Sequence, residues 1–169
     1  TIIGEVKCSK VLYDDIAKHG GNPIMWRAGH SLIKTKMTET NAALAGEMSG
    51  HIFYKQRYYG FDDATYTAAR LIELLGETEQ TLDEMAAEFP KTFSTPELRM
   101  DCPEDLKFRL VREVVESLEK RAADEGFQVI SIDGARVEFE DGWGLVRCSN
   151  TSPILVLRFE AENEARLTE

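Results

Sequence analysis

The apolar rhythm of this chain changes near residue 90, and no single packed layer accommodates both halves. Upstream, short apolar runs alternate with helical periodicity. Residues 2–7 read as a strand, and 10–19 read as a helix with Val11, Leu12 and Ile16 on one face, Ser9 as N-cap and Gly20-Gly21 at its end. Residues 23–26 form a second strand and 31–40 a short helix carrying Leu32, Ile33 and Met37. The stretch 41–47 then leads through Ala42, Ala43 and Leu44 toward a strand at 52–54. This β-α-β-α-β order predicts an α/β sheet with crossover helices. A helix over 63–75 follows, with Ala68, Ala69, Leu71, Ile72 and Leu75 available for burial, and Thr81 with Glu84 makes a capping box for one more short helix.

The pattern changes after Phe89-Pro90. Thr95-Pro96 stands at the change, where proline restricts both itself and its neighbour. The domains are accordingly placed at 1–92 and 93–169. Residues 97–102 alternate like a strand, and Pro103 sits at the first-turn position of a long helix to Glu125, closed by Gly126. Two Asp-Gly pairs, Asp133-Gly134 and Asp141-Gly142, then separate alternating runs that continue through 154–161, the pattern of an antiparallel meander. The expected fold is an α/β unit followed by an α+β unit. An opening strand without a preceding cap, and a last helix that starts near Glu162 and is cut after about one turn, suggest a piece of a longer polypeptide.

Composition narrows the function classes. Twenty Lys and Arg against thirty Asp and Glu give a net charge of −10, which repels polyanions over most of the surface, so nucleic acid is not an expected partner. A single phosphate is different, because a local cluster of Arg, Lys and backbone N–H groups holds one despite a negative global field. No apolar run approaches the roughly 18 residues that span a bilayer, and no signal-peptide pattern opens the chain, so no membrane association is expected. Cys8, Cys102 and Cys148 are odd in number and widely spaced, which fits reduced thiols in a cytoplasmic protein better than a disulfide framework or a zinc site.

Two loops carry candidate chemistry. Gly46-Glu47-Met48-Ser49-Gly50-His51 combines glycines that admit close backbone approach with Glu47, Ser49 and His51, a donor and acceptor set suited to vicinal sugar hydroxyls. The same residues also make an ordinary surface turn. Arg147-Cys148-Ser149-Asn150-Thr151-Ser152-Pro153 sets a guanidinium, hydroxyls and an amide between two apolar strands, an anion cradle or else a plain hairpin whose side chains cap their own backbone. Lys7, after the first strand, and His30, after Gly29 at a strand-to-helix turn, sit where α/β sheets place ligand groups, and either equally suits a solvated position. There is no Asp-x-Asp-x-Asp metal loop, no Walker-type glycine loop and no convincing nucleophile.

Through Val6-Lys7-Cys8, Gly29-His30-Ser31-Leu32-Ile33-Lys34, the loop 46–51, Gly60-Phe61-Asp62-Asp63, Ser94-Thr95-Pro96-Glu97, Gly142-Trp143-Gly144-Leu145-Val146-Arg147 and Ser149-Asn150-Thr151, the chain resembles the α-D-phosphohexomutase family in its bacterial phosphomannomutase/phosphoglucomutase branch. The resemblance implies most of domain three joined to most of a TATA-box-binding-like domain four. Domains one and two of the same polypeptide would supply the phosphoserine and a magnesium loop, neither of which is in this chain. It further implies that Glu47, Ser49 and His30 contact the sugar and that Arg147, Ser149, Asn150 and Thr151 hold the non-reacting phosphate. His51 and Lys7 would lie near the reacting hydroxyl, and Thr95-Pro96 would act as a hinge. The expected reaction interconverts mannose or glucose 1- and 6-phosphates through the hexose 1,6-bisphosphate, with magnesium bound outside this chain, and the isolated chain is expected to be inactive. The alternative is a free-standing sugar-phosphate binding or regulatory module.

Overall fold

A computed structural model describes residues 1–168 and divides into two compact units, Thr1–Pro90 and the segment from Lys91 onward. That break lies two residues before the one placed from sequence. In the first unit, β1 (Ile2–Glu5) leads into α1 (Lys10–Lys18), β2 (Pro23–Trp26), α2 (His30–Thr40) and β3 (Leu44–Gly46). Parallel β2 and β3 flank β1, so β1 is central and the helices are crossovers. A tight turn then reverses the chain into β4 (Ile52–Tyr54), antiparallel to β3, and β5 (Phe61–Asp62) completes the order β2-β1-β3-β4-β5. Ile3, Ala45 and Phe53 from the sheet pack with Ile33, Met37 and Ala42 as a buried core. The strand at Leu44–Gly46 is an element the patterning did not delimit, because Leu-Ala-Gly carries no β-branched or aromatic residue.

Local signals act as their chemistry requires. Ser9 accepts the Val11 N–H at 3.1 Å and starts α1, and Asp63 accepts the Tyr66 N–H at 2.8 Å and starts α3 (Ala64–Gly76) one residue later than expected. Thr81 and Glu84 form both bonds of the capping box at the head of α4 (Leu82–Ala86). The burial expected for α3 does not occur: none of its residues is buried, and Ile72 is 70% exposed. Its main strand neighbour is the three-residue β4, too short to cover an apolar face of that length.

In the second unit, β6 (Phe93–Ser94) and β7 (Leu98–Asp101) precede α5 (Glu104–Glu125). The strands β8 (Gln128–Ile130), β9 (Ala135–Glu138), β10 (Gly142–Cys148) and β11 (Ile154–Ala161) form the meander, and α6 (Glu164–Thr168) follows. The sheet runs β6-β11-β10-β9-β8, with β7 beside the first half of β11 and β6 beside its end. Pro103 is the N-cap of α5 rather than its first helical residue. No helix among the described residues is long and apolar enough to cross a membrane.

Candidate functional site

Each unit carries one centre. In the first, the loops that leave β1, β2 and β3 come together at the carboxyl ends of the parallel strands, where open α/β sheets gather ligand groups. Two carboxylates stitch them. Glu5, fully buried at the end of β1, accepts the Lys7 N–H at 2.8 Å and the Met48 N–H at 3.2 Å, with Lys7 Nζ 4.0 Å away. Burial pushes the Glu5 carboxyl above its usual range and outweighs the opposing pull of the Lys7 charge and the two N–H bonds. Glu47 accepts the Gly29 N–H at 2.7 Å. Gly29 is the N-cap of α2 at φ 129°, a backbone that a side chain rarely tolerates, so this close approach depends on glycine.

The turn itself closes through Glu47 N–H to His51 C=O at 2.9 Å and Gly50 N–H to Glu47 C=O at 2.9 Å. His51 is half-exposed, and its Nδ1 lies 2.6 Å from Asp62 Oδ2 on β5. An ionised Asp62 places the imidazole proton on Nδ1 and leaves Nε2 as an acceptor. Lys7, Glu47 and the Gly29-His30 loop are therefore brought together, with His30 exposed at the first position of α2 and Ser49 exposed at the tip of the turn.

In the second unit the centre is the hairpin between β10 and β11. Arg147 is 5% exposed and donates through Nε to Asp133 at 3.0 Å, while its Nη2 is buried without a hydrogen-bond partner. Asp133 precedes Gly134, whose φ is 84° and where an added Cβ would stand 2.2 Å from the Val146 carbonyl oxygen. Only glycine lets this turn press against β10 at Arg147. Ser149 is buried, and its Oγ accepts the N–H groups of Thr151 (3.3 Å) and Ser152 (3.2 Å), while Asn150 and Thr151 are exposed at the turn. Beneath them Lys107 of α5 donates to the carbonyls of Ser149 (2.7 Å) and Ser152 (3.0 Å). The Cys148 thiol is pushed up by burial, which the charges of Lys107 and Arg147 oppose, and a thiol so raised is a poor nucleophile.

Thr95 and Pro96 lie within the second unit, between β6 and β7, which both pair with β11. Thr95 N–H donates to the Phe159 carbonyl at 3.0 Å, and its hydroxyl accepts the Phe159 N–H at 3.1 Å, bridging β6 and β7 along β11. Among the described residues, no three His, Cys, Asp or Glu side chains gather as metal ligands. Four residues that organise these centres have no site role from the sequence: Glu5 and Lys107, which no motif names, and Asp62 and Asp133, which stand only within a family motif and a turn. Glu5 and Lys107 do carry a signal, each being a charge at a position whose neighbours in the pattern are core, Glu5 after Ile2-Ile3 and Lys107 four residues before buried Val111.

The sequence matches the family model for phosphoglucomutase/phosphomannomutase alpha/beta/alpha domain III over residues 1–93 and that for the phosphoglucomutase/phosphomannomutase C-terminal domain over 97–169. It is 51% identical to a phosphomannomutase/phosphoglucomutase of Pseudomonas putida and 49% identical to one of Pseudomonas aeruginosa, in each case over 98% of this chain and 35% of the relative. The chain thus spans about a third of the length of these relatives. A crystal structure of a phosphoglucomutase/phosphomannomutase family protein from Burkholderia thailandensis superposes with a TM-score of 0.84 at 46% identity, over 99% of this chain and 34% of that one.

Proposed function

The chain belongs to the phosphoglucomutase/phosphomannomutase family, and on that premise we propose that it is the substrate-gripping part of a phosphohexomutase that interconverts hexose 1-phosphate and hexose 6-phosphate through a bisphosphorylated hexose. The observation that carries this reading is Arg147, a nearly buried guanidinium with an unpartnered Nη2 beside the Ser149 turn. A buried unsatisfied donor is costly, and a phosphate oxygen is the partner its planar fork suits.

In this reading Arg147, Ser149, Asn150 and Thr151 hold the phosphate that is not reacting. Glu47 retains acceptor capacity beyond its bond to Gly29 and binds sugar hydroxyls together with Ser49, and His30 adds a further contact. Lys7 places a positive charge near the reacting oxygen. His51, with its Nδ1 turned to Asp62, takes the hydroxyl proton on Nε2 as that oxygen bonds to the incoming phosphorus. The phosphoryl donor and magnesium belong to segments outside this chain; a solved N-acetylphosphoglucosamine mutase from Aspergillus fumigatus was captured with GlcNAc-6P and magnesium. In this reading the substrates are mannose and glucose phosphates.

Titration of the chain with glucose 6-phosphate, followed by amide chemical shifts, tests the reading. Arg147→Ala is expected to cost about 1.5 to 3 kcal/mol of binding, the worth of a charged hydrogen bond. Unchanged affinity would sink the phosphate assignment. The unmodified chain is expected to show no turnover of glucose 1-phosphate.

A further inference from the structure

Helix α5 buries only two of its residues, Val111 and, one turn earlier, Lys107. Lys107 is 1% exposed, and its Nζ donates to the Ser149 and Ser152 carbonyls at 2.7 and 3.0 Å and meets Glu104 Oε2 at 2.7 Å. All three ammonium donors are therefore used. An apolar residue would pack a core position of this kind without the desolvation that an ammonium brings, but it would take one donor from each carbonyl and leave the Ser152 carbonyl only the Ile154 N–H. The two carbonyls bracket the turn 149–152. Its N–H groups at Thr151 and Ser152 go to Ser149 Oγ, and its ends are fastened to β11 by Ser149 N–H to Ile154 C=O (3.0 Å) and Ile154 N–H to Ser152 C=O (2.8 Å).

We propose that Lys107 is a positioning residue for anion recognition by this turn. Its ammonium draws the two carbonyls inward, away from a bound anion that they would repel, and leaves Ser149, Asn150 and Thr151 to meet the phosphate. Its charge, enclosed beneath the turn, adds positive potential where the surface of the chain as a whole is negative. The inference rests on the reading of the turn as a phosphate site, and the experiment separates the two.

Glucose 6-phosphate is titrated into the chain and into three variants at one ionic strength, with amide shifts of residues 149–152 and Tm recorded for each. Lys107→Met is expected to bind about tenfold more weakly, with displaced amide signals in the turn. Glu104→Gln keeps the lysine and its carbonyl bonds but removes the anion that screens it; Glu104 is exposed, so folding is retained, and binding is expected to tighten about two- to threefold. Arg147→Ala reports on the site itself. If Arg147→Ala binds as well as the parent, the phosphate reading falls. If Arg147→Ala weakens binding while Lys107→Met leaves affinity and turn signals unchanged, the role of Lys107 falls. Should Lys107→Met not fold, Glu104→Gln decides, and unchanged or weaker binding at an unaltered Tm overturns the proposal.

Discussion

The two centres are organised by buried charges of opposite sign. In the first unit a fully buried carboxylate, Glu5, collects N–H groups from the loops after β1 and β3, and Glu47 does the same for the loop after β2. In the second, buried cations act on oxygen: Lys107 gathers the carbonyls of one turn and Arg147 holds Asp133. Acceptors at the centre of the first loop set suit a ligand rich in hydroxyl donors, and donors at the centre of the second suit an anion. The difference teaches that each loop's surface chemistry is backed by a buried group chosen to satisfy the backbone atoms the loop leaves over.

That contrast can be broken most severely at Gly134. Gly134→Ala forces a side chain into φ 84° and against the Val146 carbonyl, and is expected to destabilise the second unit by about 3 kcal/mol or more, read by urea denaturation, with Arg147 displaced. Next comes Glu5→Ala, which strips acceptors from the Lys7 and Met48 N–H groups; a loss of about 2 to 3 kcal/mol is expected in the first unit, with amide exchange rising at 46–51 and unchanged at 149–152.

A smaller effect follows from pH. The folded-state pKa of Glu5 lies above its ordinary 4.5, so its ionised form opposes folding. The stability it contributes is complete below the unfolded value and is lost as pH rises through the raised folded value. Relative to Glu5→Gln, the parent should therefore gain stability as pH falls through that raised value toward 4.5, measured by denaturation at matched ionic strength. A flat difference between the two would remove the buried-carboxylate account. The smallest change is expected from Asp62→Ala, because both members of the His51–Asp62 pair are partly solvated. Stability stays near the parent's, while ring nitrogen shifts of His51 report a move of the proton from Nδ1 to Nε2.

Much of the scaffold was legible because its signals are local. Ser9, Asp63 and the Thr81-Glu84 box cap helices by bonds within three residues, and the Asp-Gly pairs turn the meander at the places read from sequence. The short pairings at β3, β5 and β6 were not, since two or three residues carry no periodicity and exist as strands only through a partner. Thr95-Pro96 shows the same limit. Proline marks a break in a strand, but only the bond network with Phe159 reveals that the break lies within one sheet.

The candidate residues divide along the same line. Sequence by itself determined the order of the two units, the family and the loops that carry Glu47, Ser49, His51, Arg147 and Ser149, because hydrophobic period, turn chemistry and residue type are all written within a few neighbours. Tertiary structure alone decided which distant groups support them: Glu5 under Met48, Glu47 on Gly29, Asp62 on His51, Lys107 under Ser149. Those pairings span 11 to 43 residues. They follow from which strand ends and helix turns the fold brings side by side, and from the requirement that backbone groups shut away from water find a partner there.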